Sequence, residues 1–260
     1  MDNLYYVLSV KLVFIMSAVL LFIFLLYKMF KKQSFKLPDY LVMLILLTGC
    51  YLYIPFTIHK LGFINAPFNP EWSIKYLKTA SHLSIIPYEK KLCWYDLGTI
   101  YYFEEKNGEL GIYYLEKSSD AWDENHHFPM SLLVHLYFLR GDYDKVLDIE
   151  KNYKGYQNYK KIHSAYVYYL KKDYKKALTY LDEKSKSYNE LTLMSIIYKR
   201  TGNLKKAKQL HETAEKNLKK MKFKNKQHEK NYRARLLDYN NINSFEEYLG
   251  KERKAYGFGD

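Results

Sequence analysis

The stretch DAWDENHH, residues 120–127, is the one cluster of side chains in this sequence that resembles a metal-ligand set. It offers Asp120, Asp123, Glu124, His126 and His127. Carboxylate and imidazole donors hold a divalent cation when they converge on one point. These lie in a connection between helical segments, and adjacent histidines rarely ligate one ion together, so no metal is expected. No glycine-rich phosphate loop, G-x-S-x-G, H-E-x-x-H or paired C-x-x-C occurs. Glu104 and Glu105 read as a solvated helix end, and His135, His163 and His211 as isolated packed or exposed residues. Neither catalysis nor a cofactor is expected, and the chemistry to look for is recognition.

Charge narrows the field. The chain of 260 residues carries a net charge of +13, yet 216–235 alone holds nine Lys and Arg against Glu229, while 236–260 is slightly acidic. The basicity belongs to one short segment. Cys50 and Cys93 make no disulfide framework and read as lone buried thiols. The Lys-, Tyr-, Ile- and Asn-rich composition suggests a bacterial, AT-rich genome.

Two apolar stretches come first. Residues 4–27 contain one charge, Lys11, and residues 40–58 contain none. A bilayer core needs about 20 apolar residues in a helix, so both are expected to span, as a hairpin over residues 1–60. Pro55 is expected near the end of the second span, where its missing N–H costs least. A cleaved signal peptide fits poorly, because the first run is too long and lacks a basic leader. The connecting loop carries Lys28, Lys31, Lys32 and Lys36, whereas the tail before the first span has no Lys or Arg. Positive charge stays on the cytoplasmic side, which places the loop inside and the rest of the chain outside. Residues 61–69 read as a linker.

Beyond Phe63 the pattern turns helical and repeats. LVHLYFLRGDYDKVLDI (133–149), SAYVYYLKKDYKKALTY (164–180) and MSIIYKRTGNLKKAKQL (194–210) align without gaps. Each has a tyrosine six residues before the residue that follows the turn, at 137, 168 and 198. Each has a small or β-branched residue three positions past that residue, at Val146, Ala177 and Ala207. A Gly-Asp, Lys-Asp or Gly-Asn pair at the elbow ends one helix and starts the next. One such hairpin cannot bury its own apolar face, so hairpins stack. An earlier copy, CWYDLGTIYY, places Trp94, Leu97, Gly98 and Tyr101 in the pattern W-x2-L-G-x2-Y, and continues through Gly111. WSIKYLKTASHLSIIP (72–87) reads as an orphan second helix ending at Pro87. Residues 70–218 thus resemble the tetratricopeptide repeat, although the copies are shorter than its period. The expected fold is all-α: two transmembrane helices, an α-solenoid of such hairpins, and basic capping helices over 219–260.

The resemblance implies a concave groove lined by first helices that takes a peptide or helix. Its wall would carry Tyr95, Tyr102 and Phe103, then His135 and Phe138, then Tyr166 and Tyr169, with Lys199 and Arg200 at the far end. Thr99, Ser131, Leu139, Ile162, Leu170, Thr192 and Ile196 fill the remaining groove positions. Aromatic anchors supply much of a binding free energy, and the cationic end suits a carboxylate. The same aromatics would equally be buried by a C-terminal helix or a neighbouring hairpin. The basic stretch 216–235 reads as a solvated cap, or as a contact for anionic lipid or wall polymer. Nucleic acid is not expected as a partner. The functional expectation is a non-catalytic, membrane-anchored adaptor for another envelope protein. The alternative is an accessory subunit of an envelope-biogenesis or secretion complex, docked through its spans.

Overall fold

The computed structural model describes residues 16, 19–28, 31, 36–119, 127–152, 162–233 and 236–259. Most of the first expected span, 4–27, and most of the 120–127 donor cluster lie outside them. All regular elements among the described residues are helices. They are α1 (Val19–Lys28), α2 (Leu37–Asn65), α3 (Pro70–Leu83), α4 (Pro87–Phe103), α5 (Gly108–Ser119), α6 (His127–Arg140), α7 (Tyr143–Asn152), α8 (Ile162–Leu170), α9 (Tyr174–Thr179), α10 (Tyr188–Arg200), α11 (Leu204–Lys220), α12 (Lys226–Arg233) and α13 (Ser244–Ala255). They form two compact units: residues 1–105 with 113–121, and 106–112 with 122–260. The boundary falls inside α5.

In the first unit, α2 is long and apolar enough to cross a membrane, and it is the one helix among the described residues that is. Its N-terminal part exposes Tyr40, Leu41, Leu44, Ile45 and Leu47. Its C-terminal part packs one face on protein and leaves Leu61, Phe63 and Ile64 exposed. Phe56 is buried, and His59 Nε2 lies 2.6 Å from Asp96 Oδ2 of α4. The expected linker therefore needs correction: α2 continues past Pro55 to Asn65, and only 66–69 turn the chain. Packing explains the continuation. α3 runs back along α2 at Gly62, where a Cβ would stand 2.8 Å from Leu77 Cγ, and Ser73 Oγ donates to the Gly62 carbonyl at 2.6 Å. Pro87 likewise opens α4 rather than closing α3, a position where its absent N–H costs nothing. The W-x2-L-G-x2-Y residues behave as their types dictate. Leu97 is fully buried, a Cβ on Gly98 would meet Leu115 Cγ at 2.6 Å, and Tyr101 stacks on Tyr114.

Among the described residues the second unit contains three helical hairpins: α6–α7, α8–α9 and α10–α11. Their elbows are the same hydrogen-bonded structure. The N–H of Asp142, Asp173 and Asn203 donates to the carbonyl of Tyr137, Tyr168 and Tyr198, at 2.9, 2.9 and 2.8 Å. The N–H one residue earlier donates to Phe138, Tyr169 and Lys199. This double closure satisfies the orphan carbonyls of a helix end and needs a left-handed residue between. Gly141, Lys172 and Gly202 occupy that position, with φ of 96°, 60° and 84°. Asp173 and Asn203 then cap the next helix by accepting from the N–H of Lys176 and Lys206. Val146, Ala177 and Ala207, the small residues of the repeat, are fully buried. Buried glutamates bind the connections: Glu150 of α7 accepts from the N–H and Oγ of Ser164 in the first turn of α8, and Glu190 accepts from Asp182 N–H and Ser185 Oγ.

Candidate functional site

First helices of the hairpins, α6, α8 and α10, are apolar on more than one side. Residues Leu191 to Ile197 of α10 are all buried, so a face that the hairpin partner does not cover is covered by something else. The cover is the chain's own C-terminal segment, from Leu236 to Phe258. It follows the hairpins in reverse order.

At α10, Lys199 Nζ donates to the Tyr239 carbonyl at 2.6 Å and stands 3.5 Å from the centre of the Tyr239 ring. The His211 ring stacks on that tyrosine at 3.9 Å. Arg200 Nη2 donates to the Ile242 carbonyl, to Asn243 Oδ1 and, at 2.7 Å, to Glu246 Oε1. Over α8 and α6, Phe245 is 1% exposed. Its ring centroid lies 4.8 Å from that of Tyr166, 5.1 Å from Tyr169 and 6.5 Å from Phe138. Full burial of one such ring contributes about 1.5–3 kcal/mol, and well-oriented aromatic pairs add about 0.5–1.5 kcal/mol each. Tyr169 OH donates to the Glu246 carboxylate at 3.0 Å. Burial and that neighbouring carboxylate hold the Tyr169 phenol well above its ordinary range. Further on, Arg253 donates to Tyr143 OH at 2.7 Å. Tyr256 accepts from the Gly108 N–H at 2.9 Å, and Phe258 fills the space that a side chain at 108 would occupy.

The expected groove residues thus divide. Phe138, Tyr166, Tyr169, Lys199 and Arg200 line one continuous wall and all touch the C-terminal segment. His135 joins them through His163, nitrogen to nitrogen at 3.2 Å, and through the Tyr256 ring. Tyr95, Tyr102 and Phe103 are on α4 in the first unit. Tyr95 is half-buried, and Tyr102 meets Phe103 edge-on at 4.6 Å. Phe103 remains 47% exposed.

The sequence left open an external segment, a C-terminal helix or a neighbouring hairpin as the cover, and a C-terminal helix occupies the wall in this structure. In that helix Phe245 lies among the rings and Glu246 on Arg200. The residues missed were those of the occupant: Tyr239, Phe245, Glu246, Leu249, Arg253 and Tyr256. Their signal was present as an apolar i,i+4 pair, Phe245 and Leu249, in a tail that is acidic directly after a basic stretch.

That basic stretch has two sides. Leu218 is buried, and Phe223 and Tyr232 pack on the cluster of Tyr188, Leu191, Met194, Leu210 and Ala214. Lys219, Lys220, Lys222, Lys224, Lys226 and Lys230 are exposed.

No family, curated protein or solved structure matches this chain. Among the described residues the protein is all-helical, and α13 is seated on a wall formed by the first helices of three hairpins.

Proposed function

We propose that this chain is a membrane-anchored, tetratricopeptide-like adaptor that holds another polypeptide near the bilayer through the wall of α6, α8 and α10. One observation carries the reading. A wall of aromatic side chains closed by a guanidinium already seats an amphipathic helix, Phe245 between the rings and Glu246 on Arg200. Helix-in-groove recognition uses this combination of spaced apolar anchors and a charge that fixes register. α2 serves as the anchor, and the exposed lysines of 216–235 face anionic lipid or wall polymer. In this reading the hairpin units stand on the outer side of the membrane, and a protease added to intact cells cleaves them.

The test is a photoreactive residue at position 166 in cells, with and without Arg200→Glu. A crosslink to a second polypeptide that the charge reversal removes supports the adaptor. Crosslinks confined to the chain itself, unchanged by Arg200→Glu, contradict it. The span-docked alternative rests on the exposed apolar length of α2. Exchanging α2 residues 40–54 for an unrelated apolar sequence separates the two, because an adaptor keeps its partner and a span-docked subunit loses it.

A further inference from the structure

Resting on the adaptor reading, we propose that α13 is an exchangeable self-ligand. It holds the wall until a partner helix of the same chemistry takes its place: an aromatic residue followed at once by an acid, with an aliphatic residue four positions after the aromatic.

Three observations lead there. First, the wall is not one that can stand empty in water. Phe138 and Tyr169 are nearly fully buried, and removing α13 would expose them and Tyr166 together, an aromatic patch of the kind that drives association. Exchange with a partner helix leaves it uncovered only during a brief opening.

Second, α13 is held as a ligand is held. Its apolar anchors are few, and its register is set by charged and polar contacts at both ends, Arg200 at one and Tyr143 at the other. Most of its remaining surface is charged and exposed, including Glu247, Lys251 and Lys254.

Third, the fit is incomplete at its strongest contact. Arg200 meets Glu246 through Nη2, while its Nε is buried with no acceptor among the described residues. A guanidinium presents Nε and Nη2 as a fork that one carboxylate can engage with both oxygens, and a buried donor left unmade is costly. In cis, one Glu246 oxygen is on Arg200 Nη2 and the carboxylate also accepts from Tyr169. A helix free of the tether from α12 can place its acid squarely on the fork, and so outcompete the resident one.

The experiment uses the full chain in nanodiscs and a fluorescent synthetic peptide of residues 241–258 as the probe. In the Phe245→Ala/Glu246→Gln protein, the weakened resident helix no longer competes. The peptide then binds about tenfold or more tightly than to the unmodified protein, as expected when a tethered competitor at an effective concentration on the order of 1 mM is removed. Adding Arg200→Lys, which keeps the charge and loses the fork, weakens peptide binding about tenfold. Equal peptide affinity for the released and unmodified proteins overturns the proposal. So does absence of binding to a released protein of unchanged helix content.

Hydrogen exchange on the unmodified protein guards against a variant that fails to fold. Amides of α13 exchange through an opening that leaves α10 and α11 protected. Exchange of all three together makes α13 a permanent part of the core and overturns the proposal. A dimer held through α13, appearing with rising protein concentration, overturns it in favour of a second copy as occupant. In none of these cases is the crosslinking test of the adaptor reading prejudged, since that test asks only whether another polypeptide reaches position 166.

Discussion

At the scale of single residues, the three elbows are one chemical device with one imperfect copy. Gly141 and Gly202 take the left-handed turn position at no steric cost, whereas Lys172 holds the same hydrogen bonds at a φ of 60°. A side chain there costs about 1 kcal/mol relative to glycine. Lys172→Gly is therefore expected to stabilise the protein by about 0.5–1 kcal/mol, read as a higher urea midpoint with an unchanged slope. No gain would mean that the lysine side chain makes compensating contacts.

A second residue sets a pH dependence. Burial holds the His211 imidazole below its ordinary pKa of 6.5, with Lys199 acting in the same direction and Glu215, Asp238 and Glu212 opposing. An unfolded or undocked chain then binds a proton more readily than the docked one. The stability from neutral His211 is complete above about pH 6.5 and declines as pH falls from there through the folded value. Urea midpoints measured between about pH 7 and about pH 5 are expected to fall less in His211→Gln than in the unmodified protein. Equal declines would contradict this.

Recurrent Tyr137, Tyr168 and Tyr198 were legible as landmarks, but their use was not. Their backbone carbonyls close the elbows, a role that any residue type performs, so the letters carried the position and the geometry carried the reason.

At the scale of elements, periodicity and turn chemistry made the hairpins readable, because Gly-Asp, Lys-Asp and Gly-Asn elbows and buried small residues act within one hairpin. Boundaries set by contacts between distant residues were not readable in the same way. The second span was expected to end near residue 58, yet with Gly62 against Leu77 and His59 against Asp96 the helix runs on to Asn65. Under the proposed function, the part of α2 that meets the membrane is the stretch before those contacts.

The basic element follows a similar division. Leu218, Phe223 and Tyr232 are committed to the core, and the lysines are exposed; under the proposed function each would contribute about 1 kcal/mol near anionic lipid. A polarity-sensitive dye at Lys222→Cys is expected to report a drier environment in nanodiscs with about one-third anionic lipid than in neutral ones. The difference is expected to vanish in high salt, where charges are screened within a few ångströms. A salt-insensitive shift would contradict the electrostatic contact.

At the scale of the whole molecule, the sequence offered one groove across four copies, whereas Tyr95, Tyr102 and Phe103 lie in the first unit; it offered a C-terminal helix as one possible cover without naming its residues. Phe138, Tyr166, Tyr169, Lys199 and Arg200 follow from a repeat whose positions predict one another. Phe245 and Glu246 lie outside the repeat, in a helix whose place is fixed only by what it touches. The expected ligand chemistry, an aromatic residue with an acid on a guanidinium, is present within the chain, and the proposed function requires that this internal copy yields.

A cysteine pair tests that requirement most directly. Lys106→Cys and Tyr256→Cys, at positions whose side chains now meet at 3.3 Å, away from the aromatic rings of the wall, are joined by a reducible thiol crosslinker in a chain carrying Cys50→Ser. Native Cys93 is buried, its thiol pushed up to about 12, and so stays out of the reaction. With the pair joined, α13 is held on the wall; with the crosslinker reduced, it is free to leave. The account predicts that the partner captured from membranes by the unjoined protein is lost on crosslinking and regained on reduction. Equal capture by the locked and unlocked forms would contradict it.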